Sequence, residues 1–497
     1  MERPYLPLYP GCLSSIPDSA PIDWQRRIRG ILILIAVYLV VVFLIPKPEK
    51  VSLEGWRLTG IFIATIAGSI LQSLPGGALV LMAVTLSIIL GGVKPAKALA
   101  GYGDTTVWLV QAAFFISRAL INTGLARRIA LFFVRLFGKS SLGVSYALSI
   151  SDMLLATIIP SNGARSGGIT LPIVRSISEL YGSNPGATAG LLGSFLFTAV
   201  YQGVCIGSAM FYTGQASNAL AAQLAEGAAK TAGYADFHVT PLSWMLAGLA
   251  PGLISMLTVP WVVSKVNPPE IKRTPEASEF ARKQLQDMGP LSRNEWILLT
   301  VFIGVCAMWM TTNIHGLDVV VPALMGAVTL LLLGVLSWND IIKEESAWDI
   351  FIWYGGLLQL AKNLNDTGVT TEFAKAIAAS MTNATWITLF AVALAIYFYA
   401  HYAFASITAH LLSMYPAFVA VLLVKGAPVG LVCYAFACFA NLSAGLTNYG
   451  TTPSPMFFSQ GYVPFKTWWR VGFVASLVNV TVWSVVGFSW WKLIGYW

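Results

Sequence analysis

Two short polar runs lie inside otherwise apolar sequence: Ser161-Asn162-Gly163-Ala164-Arg165 and Ser406-Ile407-Thr408-Ala409-His410. Each follows a stretch carrying helix breakers, so each marks the start of a new half-helix. A half-helix opening on Ser161-Asn162 leaves its first N–H groups without partners and its positive dipole end free, which suits an anion. Ser406 and Thr408 offer the same from the second run. Their hydroxyls and the Asn162 amide add directional hydrogen bonds without fixed charge. Two such tips facing one another fit a ligand with two carboxylates. The plain alternative is ordinary capping of two helices.

Arg165 falls in the first turn of its half-helix, where the dipole disfavours a cation and an apolar setting penalises any charge. It needs an anionic partner. A ligand carboxylate, gripped by two parallel hydrogen bonds, is preferred, with a structural ion pair to Asp152 or Glu179 as the alternative. Asp152 precedes Ser161 by nine residues and is expected more than a helical turn below the tip. His410 holds the register of Arg165 and could be a cation or a neutral donor. His401 is a weaker candidate, and His238 and His315, in loops, are weaker still. Neither a metal-ligand spacing nor a Ser-His-Asp arrangement stands out, so no cofactor, no metal and no enzyme are expected. The five cysteines form no CxxC pair, and four of them sit in apolar segments as small hydrophobes.

These residues need elements to position them, and an internal repeat supplies the first clue. The segment 105–125 aligns with 349–369 at an offset of 244, placing Arg118 on Lys362, Asn122 on Asp366 and Thr123-Gly124 on Thr367-Gly368. The two Ser runs keep an offset of 245, from Ser161 to Ser406. A weak repeat with Gly- and Pro-interrupted apolar segments in matching places is the sequence mark of a transporter with a midplane site.

Of 497 residues, 56% are apolar and 10% charged, with a mean hydropathy of +0.71, which excludes a water-soluble protein. Apolar runs long enough to cross a bilayer recur about eleven times, and their spacing argues helices rather than a barrel. The net charge of +8 is scattered over loops, so a nucleic-acid partner is not expected. The cluster Arg26-Arg27-Ile28-Arg29 and the basic linker 265–294 belong in the cytoplasm by the positive-inside rule.

The expected fold is an all-α polytopic membrane protein in two inverted repeats. Residues 1–29 form a cytoplasmic N-terminal segment and 30–50 the first transmembrane helix. The first repeat, 51–264, holds scaffold helices, a re-entrant hairpin at about 145–180 and a broken helix at about 188–222. The linker 265–294 follows. The second repeat, 295–497, holds scaffold helices, a hairpin at about 383–424, a broken helix at about 430–457 and a last helix. Residues 126–138, with Arg127, Arg128 and Arg135 among Leu131, Phe132 and Phe133, suit a helix lying in the interface. The hairpin arms are expected to be too short for a full crossing. Interrupted segments 203–218 and 441–455 are tolerated at membrane depth only when buried or lining a wet cavity. They bring Thr213 and Thr451-Thr452-Pro453 to the tips.

The runs SNGARSGG (161–168), ASITAHLLSMYP (405–416) and TNYGTTPSPMFFSQGY (447–462) resemble the divalent anion/sodium symporter family, specifically its exchanger branch. That branch includes plastid 2-oxoglutarate/malate translocators and bacterial citrate/succinate and tartrate/succinate antiporters. In the family each tip carries a Ser-Asn-Thr signature that binds carboxylates and, in coupled members, helps hold Na⁺. Here Thr is absent from the first tip and Asn from the second, and Ile407 has no oxygen to offer a cation. The resemblance thus implies a sodium-independent exchanger of C4 or C5 dicarboxylates, or tricarboxylates, with Arg165 and His410 replacing cation charge. It further implies a homodimer with a scaffold (roughly 30–140 and 295–380) and a moving elevator part carrying both hairpins. The alternatives are a Na⁺-coupled symporter and, from other classes, an intramembrane enzyme or an anion channel. The N-terminus lacks transit-peptide character, so a multi-pass protein of the bacterial inner (plasma) membrane is expected.

Overall fold

The computed structural model describes residues 24–71, 74–369, 372 and 385–497. Cys12, most of the N-terminal segment 1–29 and the first residues of the expected second hairpin lie outside the described residues. In an apolar chain every backbone group must find its partner within the protein, and helices achieve this locally. Accordingly the described residues form helices and no β-strand, apart from one isolated bridge between Ser140 and Arg273.

The first half comprises α1 (Trp24–Leu39), α2 (Leu53–Leu71), α3 (Gly76–Ile89), α4 (Thr105–Thr123), α5 (Leu125–Phe137) and α6 (Ser141–Ala156). A returning arm follows, from Asn162–Arg165 through a π-turn, Ser166–Thr170, into α7 (Leu171–Leu180). Then come α8 (Gly193–Met210), α9 (Ala216–Thr231) and α10 (Pro241–Val266). The linker is not plain loop: it folds as α11 (Pro275–Asp287), braced on α5 by Arg127–Gln284 and Ser278–Arg135 contacts. The second half comprises α12 (Arg293–Met310), α13 (Val320–Leu332), α14 (Glu345–Asp366), α15 (Trp386–Ala400), α16 (Ile407–Val424), α17 (Val429–Ser443) and α18 (Phe465–Val482). The order of α4, α6, returning arm and α8 recurs as α14, α15, α16 and α17.

Local chemistry sets the boundaries. Asp104 caps α4 by accepting from Thr106 N at 2.9 Å, and Gly124, at φ 80°, ends it in a left-handed turn few other residues adopt. The chain then bends by 64° into α5. Ala130, Leu131 and Val134 of α5 face inward while Phe132 and Leu136 face out, as an interface helix requires. Helix α8 is buried along its whole length. Its Gly203 leaves room for the Ser149 side chain of α6, and Gly207 for the α6 backbone at Met153.

About eleven crossings were expected; among the described residues seven helices are long and apolar enough by length and composition alone, eight if the bent α4–α5 pair counts as one span. Helices α3, α6 and α13 are apolar but shorter. The arms of the second hairpin, expected to be too short, run Trp386–Ala403 and Ile407–Val424. At 18 residues each they are long enough to span, because the tip turn continues α15 as a 3₁₀ turn, His401–Ala403.

Candidate functional site

The hairpin tips open on one cavity of about 400 Å³. At the first, Ser161 is the N-cap and its Oγ accepts from Ala164 N at 3.1 Å; at the second, Ser406 does the same for Ala409 N at 3.4 Å. Among the described residues the next N–H groups, of Asn162, Gly163, Ile407 and Thr408, have no acceptor. Ser161, Asn162, Ser406, Thr408 and Thr452 all line the cavity, so residues 245 apart in sequence share one space. The opposite wall comes from α2, α3 and α14, including Trp353. Among the described residues no Lys or Arg lines it, and the one charged lining residue is Asp349, whose carboxyl is held by the Gly77 backbone at the start of α3.

The other expected residues build the frame. Asn162 Nδ2 donates to Gln215 Oε1 at 3.1 Å and to Thr451 Oγ1 at 3.0 Å, tying the first tip to both breaks. Thr213 Oγ1 closes the end of α6 on the carbonyls of Ala156 and Thr157, at 3.0 Å each. A Cβ on Gly163 would lie 2.9 Å from Thr452 Cγ2, so only glycine allows this approach. Pro453 begins the short helix Pro453–Phe458, where a missing N–H costs nothing.

Both breaks are satisfied from within. Phe211 and Gln215 are extended around a 3₁₀ turn, Tyr212–Gly214, and Asn218 Nδ2 takes up the carbonyls of Ser208 (2.8 Å) and Phe211 (2.9 Å). At the second break Tyr201 Oη donates to Ala444 O at 2.7 Å and Gln202 Nε2 to Gly445 O at 2.9 Å. Unwound backbone is tolerated here because these freed carbonyls meet donors from neighbouring side chains.

Arg165 and His410 stand behind the cavity, fully buried, and do not line it. Arg165 Nε meets Asp152 Oδ1 at 2.9 Å, Nη1 meets Ile159 O (3.0 Å) and Gly214 O (2.9 Å), and Nη2 meets Ser208 Oγ (3.0 Å). The alternative partner Asp152 is therefore the one seen, not a ligand carboxylate. The two residues lie equally far from the bend of the hairpin, so the long guanidinium reaches straight across to the opposite arm. Glu179 pairs instead with Arg175. His410 Nε2 meets Tyr397 O at 2.9 Å, and its Nδ1 meets His401 Nδ1 at 3.1 Å. His401, a weaker sequence candidate, is thus its direct partner, while His238 and His315 lie elsewhere.

Gln215 escaped the sequence reading. It lines the cavity, and with Oε1 taken by Asn162 its amide N–H groups remain to donate. Its place, directly after the Tyr-Thr-Gly break and on the same cavity as the Ser tips, was the available signal.

Comparison with known proteins agrees with this architecture. A family model described as "Sodium:sulfate symporter transmembrane region" matches residues 25–497. The chain is 42% identical over 472 residues to the putative malate transporter YflS of Bacillus subtilis, covering 95% of this chain and 97% of that one. It is 40% identical over 483 residues to the chloroplastic dicarboxylate transporter 1 of Arabidopsis thaliana, covering 96% and 85%. The crystal structure of the Alcanivorax borkumensis YdaH transporter shares the fold, with a TM-score of 0.53 at 14% identity, covering 95% and 98%. With these tips, breaks and matches, the chain belongs to the sodium:sulfate symporter family, the divalent anion/sodium symporters, and is a multi-pass membrane transporter rather than an enzyme.

Proposed function

We propose that the chain is a sodium-independent antiporter that exchanges C4 and C5 dicarboxylates such as succinate, malate and 2-oxoglutarate, or tricarboxylates, across a bacterial inner (plasma) membrane. One observation carries this: two capped helix N-termini, one from each half, open their free N–H groups on a single cavity that no Lys or Arg lines among the described residues. Each terminus takes one carboxylate, through backbone N–H groups and the dipole. Ser161, Thr408, Thr452 and Gln215 add hydrogen bonds, while Asn162, Gly163, Thr213, Thr451 and Pro453 hold the frame. Relatives named for malate and dicarboxylates support the substrate class. A cavity of about 400 Å³ suits a small diacid.

Sodium, which the family description names, does not fit the residues at these tips. The Ile407 side chain offers no oxygen, and the carbonyls of Ile159 and Gly214 already accept from Arg165, that of Gly450 from His401. A cation there would have to share those carbonyls with their donors. The recurring helix order and the family support two inverted repeats, a cytoplasmic N-terminus, a homodimer and an elevator movement of the hairpins against the α2–α3 and α14 wall. Substrate neutralises the positive tips during that movement. If this is worth about 3 kcal/mol, empty return slows on the order of a hundredfold, which makes exchange obligatory.

Uptake of labelled succinate or 2-oxoglutarate into proteoliposomes, with and without internal dicarboxylate, in Na⁺ and in K⁺ buffer, tests the proposal. Uptake that needs internal dicarboxylate and ignores Na⁺ is expected. A Na⁺ gradient driving uptake into empty vesicles would overturn it in favour of a symporter. A chemically altered product would indicate an enzyme, and conduction without counter-substrate a channel.

A further inference from the structure

The contact between His401 and His410 makes a chemical demand that their other bonds sharpen. His401 Nε2 lies 2.9 Å from Gly450 O, and His410 Nε2 lies 2.9 Å from Tyr397 O. A carbonyl oxygen only accepts, so each Nε2 carries its hydrogen. The second nitrogen of a neutral ring is then a bare lone pair. Yet the two Nδ1 atoms face one another at 3.1 Å, where two lone pairs repel. A single added proton turns repulsion into an ordinary N–H···N hydrogen bond. We propose that His401 and His410 form a proton-binding site that holds one proton between their Nδ1 atoms, and that this proton gives the dicarboxylate site its net positive charge. The charge clause rests on the antiport reading; the proton site itself does not.

The repeat shows why the charge stays uncompensated. Arg165 and His410 share a register at an offset of 245, and so do Asp152 and Tyr397. In the first half the guanidinium meets a carboxylate, so that brace is neutral. In the second half Tyr397 supplies only its backbone carbonyl and a ring 4.2 Å from that of His410, centroid to centroid. The other titratable groups around the pair are phenols and thiols: Tyr402 on the tip turn, Tyr449 on the Gly450 loop, Tyr415 on α16, and Cys433 on α17, whose carbonyl takes the Tyr415 hydroxyl. Of the acids on packed helices, Glu226 of α9 turns to Val239 N and His238, and Glu54 of α2 lies beside Gly92. Among the described residues no carboxylate reaches either ring at ion-pair distance.

Loss of the proton would either set the two lone pairs against each other or move one hydrogen to Nδ1 and free a carbonyl from its donor; either way it would remove the positive charge. Exchange therefore falls as pH rises. Nitrogen NMR of ¹⁵N-histidine-labelled protein in lipid nanodiscs reads the site directly, with two Nε2–H groups and one hydrogen shared between two Nδ1 atoms expected. Dicarboxylate exchange, with equal pH on both sides, should drop about tenfold between about pH 6 and about pH 9. His401→Gln, whose amide can still donate to Gly450 O but has no Nδ1 lone pair, should flatten that profile. A spectrum with a bare Nε2 on either ring, or His401→Gln keeping the wild-type pH profile, would overturn the proton site. The shared-proton spectrum in a protein that shows no exchange at any pH would uphold the site and overturn its link to antiport.

Discussion

Replacing Arg165 by Met separates a structural brace from a substrate ligand. The guanidinium makes four buried bonds, to Asp152, Ile159, Gly214 and Ser208, and neither it nor Asp152 has any exposed surface. Removing one partner of a buried ion pair costs about 3–5 kcal/mol, because the other charge stays behind. Asp152 is poorly placed to absorb this, since its Oδ2 already lacks a hydrogen-bond partner. Two carbonyls also lose donors, each worth about 1 kcal/mol or more. Arg165→Met should therefore destabilise the protein by at least about 4 kcal/mol in equilibrium unfolding from detergent micelles. Adding Asp152→Asn removes the stranded charge and should restore about 2 kcal/mol, the coupling expected of residues in direct contact. Succinate binding measured on the same samples completes the test. Unchanged stability together with lost binding would refute the brace and return Arg165 to the substrate.

Gly163→Ala would press a methyl to within 2.9 Å of Thr452 Cγ2, and should cripple exchange while leaving the unfolding midpoint near that of the native protein. Ser161→Ala and Ser406→Ala each remove a cap worth about 1 kcal/mol; if the tips share the substrate, each should raise the half-saturating succinate concentration by a similar factor, roughly tenfold for about 1.4 kcal/mol. The linker should respond to acid. The Tyr181 hydroxyl donates to Glu276 at 2.6 Å and holds its carboxyl below the usual range. The contact is therefore present above the ordinary glutamate value of about 4.3 and is lost as pH falls through the lower folded-state value. Spin labels on α7 and α11 should separate only in strong acid, and Glu276→Gln should abolish that response.

Polar residues in an apolar chain were easily read: Ser161, Ser406 and Thr452 have few reasons to be there except to line something polar. The breaks at 211–215 and 444–452 betrayed themselves by Gly, Ser and Thr where Leu and Val would otherwise stand. Partners across the hairpin were harder, because pairing Arg165 with Asp152, or His410 with His401, depends on where the chain bends. One residue more or less in that turn would move each cation off its partner. The number of crossings is less directly legible, because α3 and α13 fill two of the apolar runs with helices of only 10–17 residues.

Helix α8 is buried within the protein at every residue, and at a mean hydropathy of 1.2 it is, with Ser194, Thr198, Gln202 and Ser208 along it, the least oily of the seven candidate spans among the described residues. Such a segment gains little from entering a bilayer alone. Its place is secured partly by α6, which precedes it, and for the rest by neighbours that arrive after it, α10 in the same half and α17 from the other, whose break it serves through Tyr201 and Gln202. During synthesis this helix would wait, half-committed, until the second half emerges, which makes the two halves obligate partners in biogenesis as well as in the finished transporter.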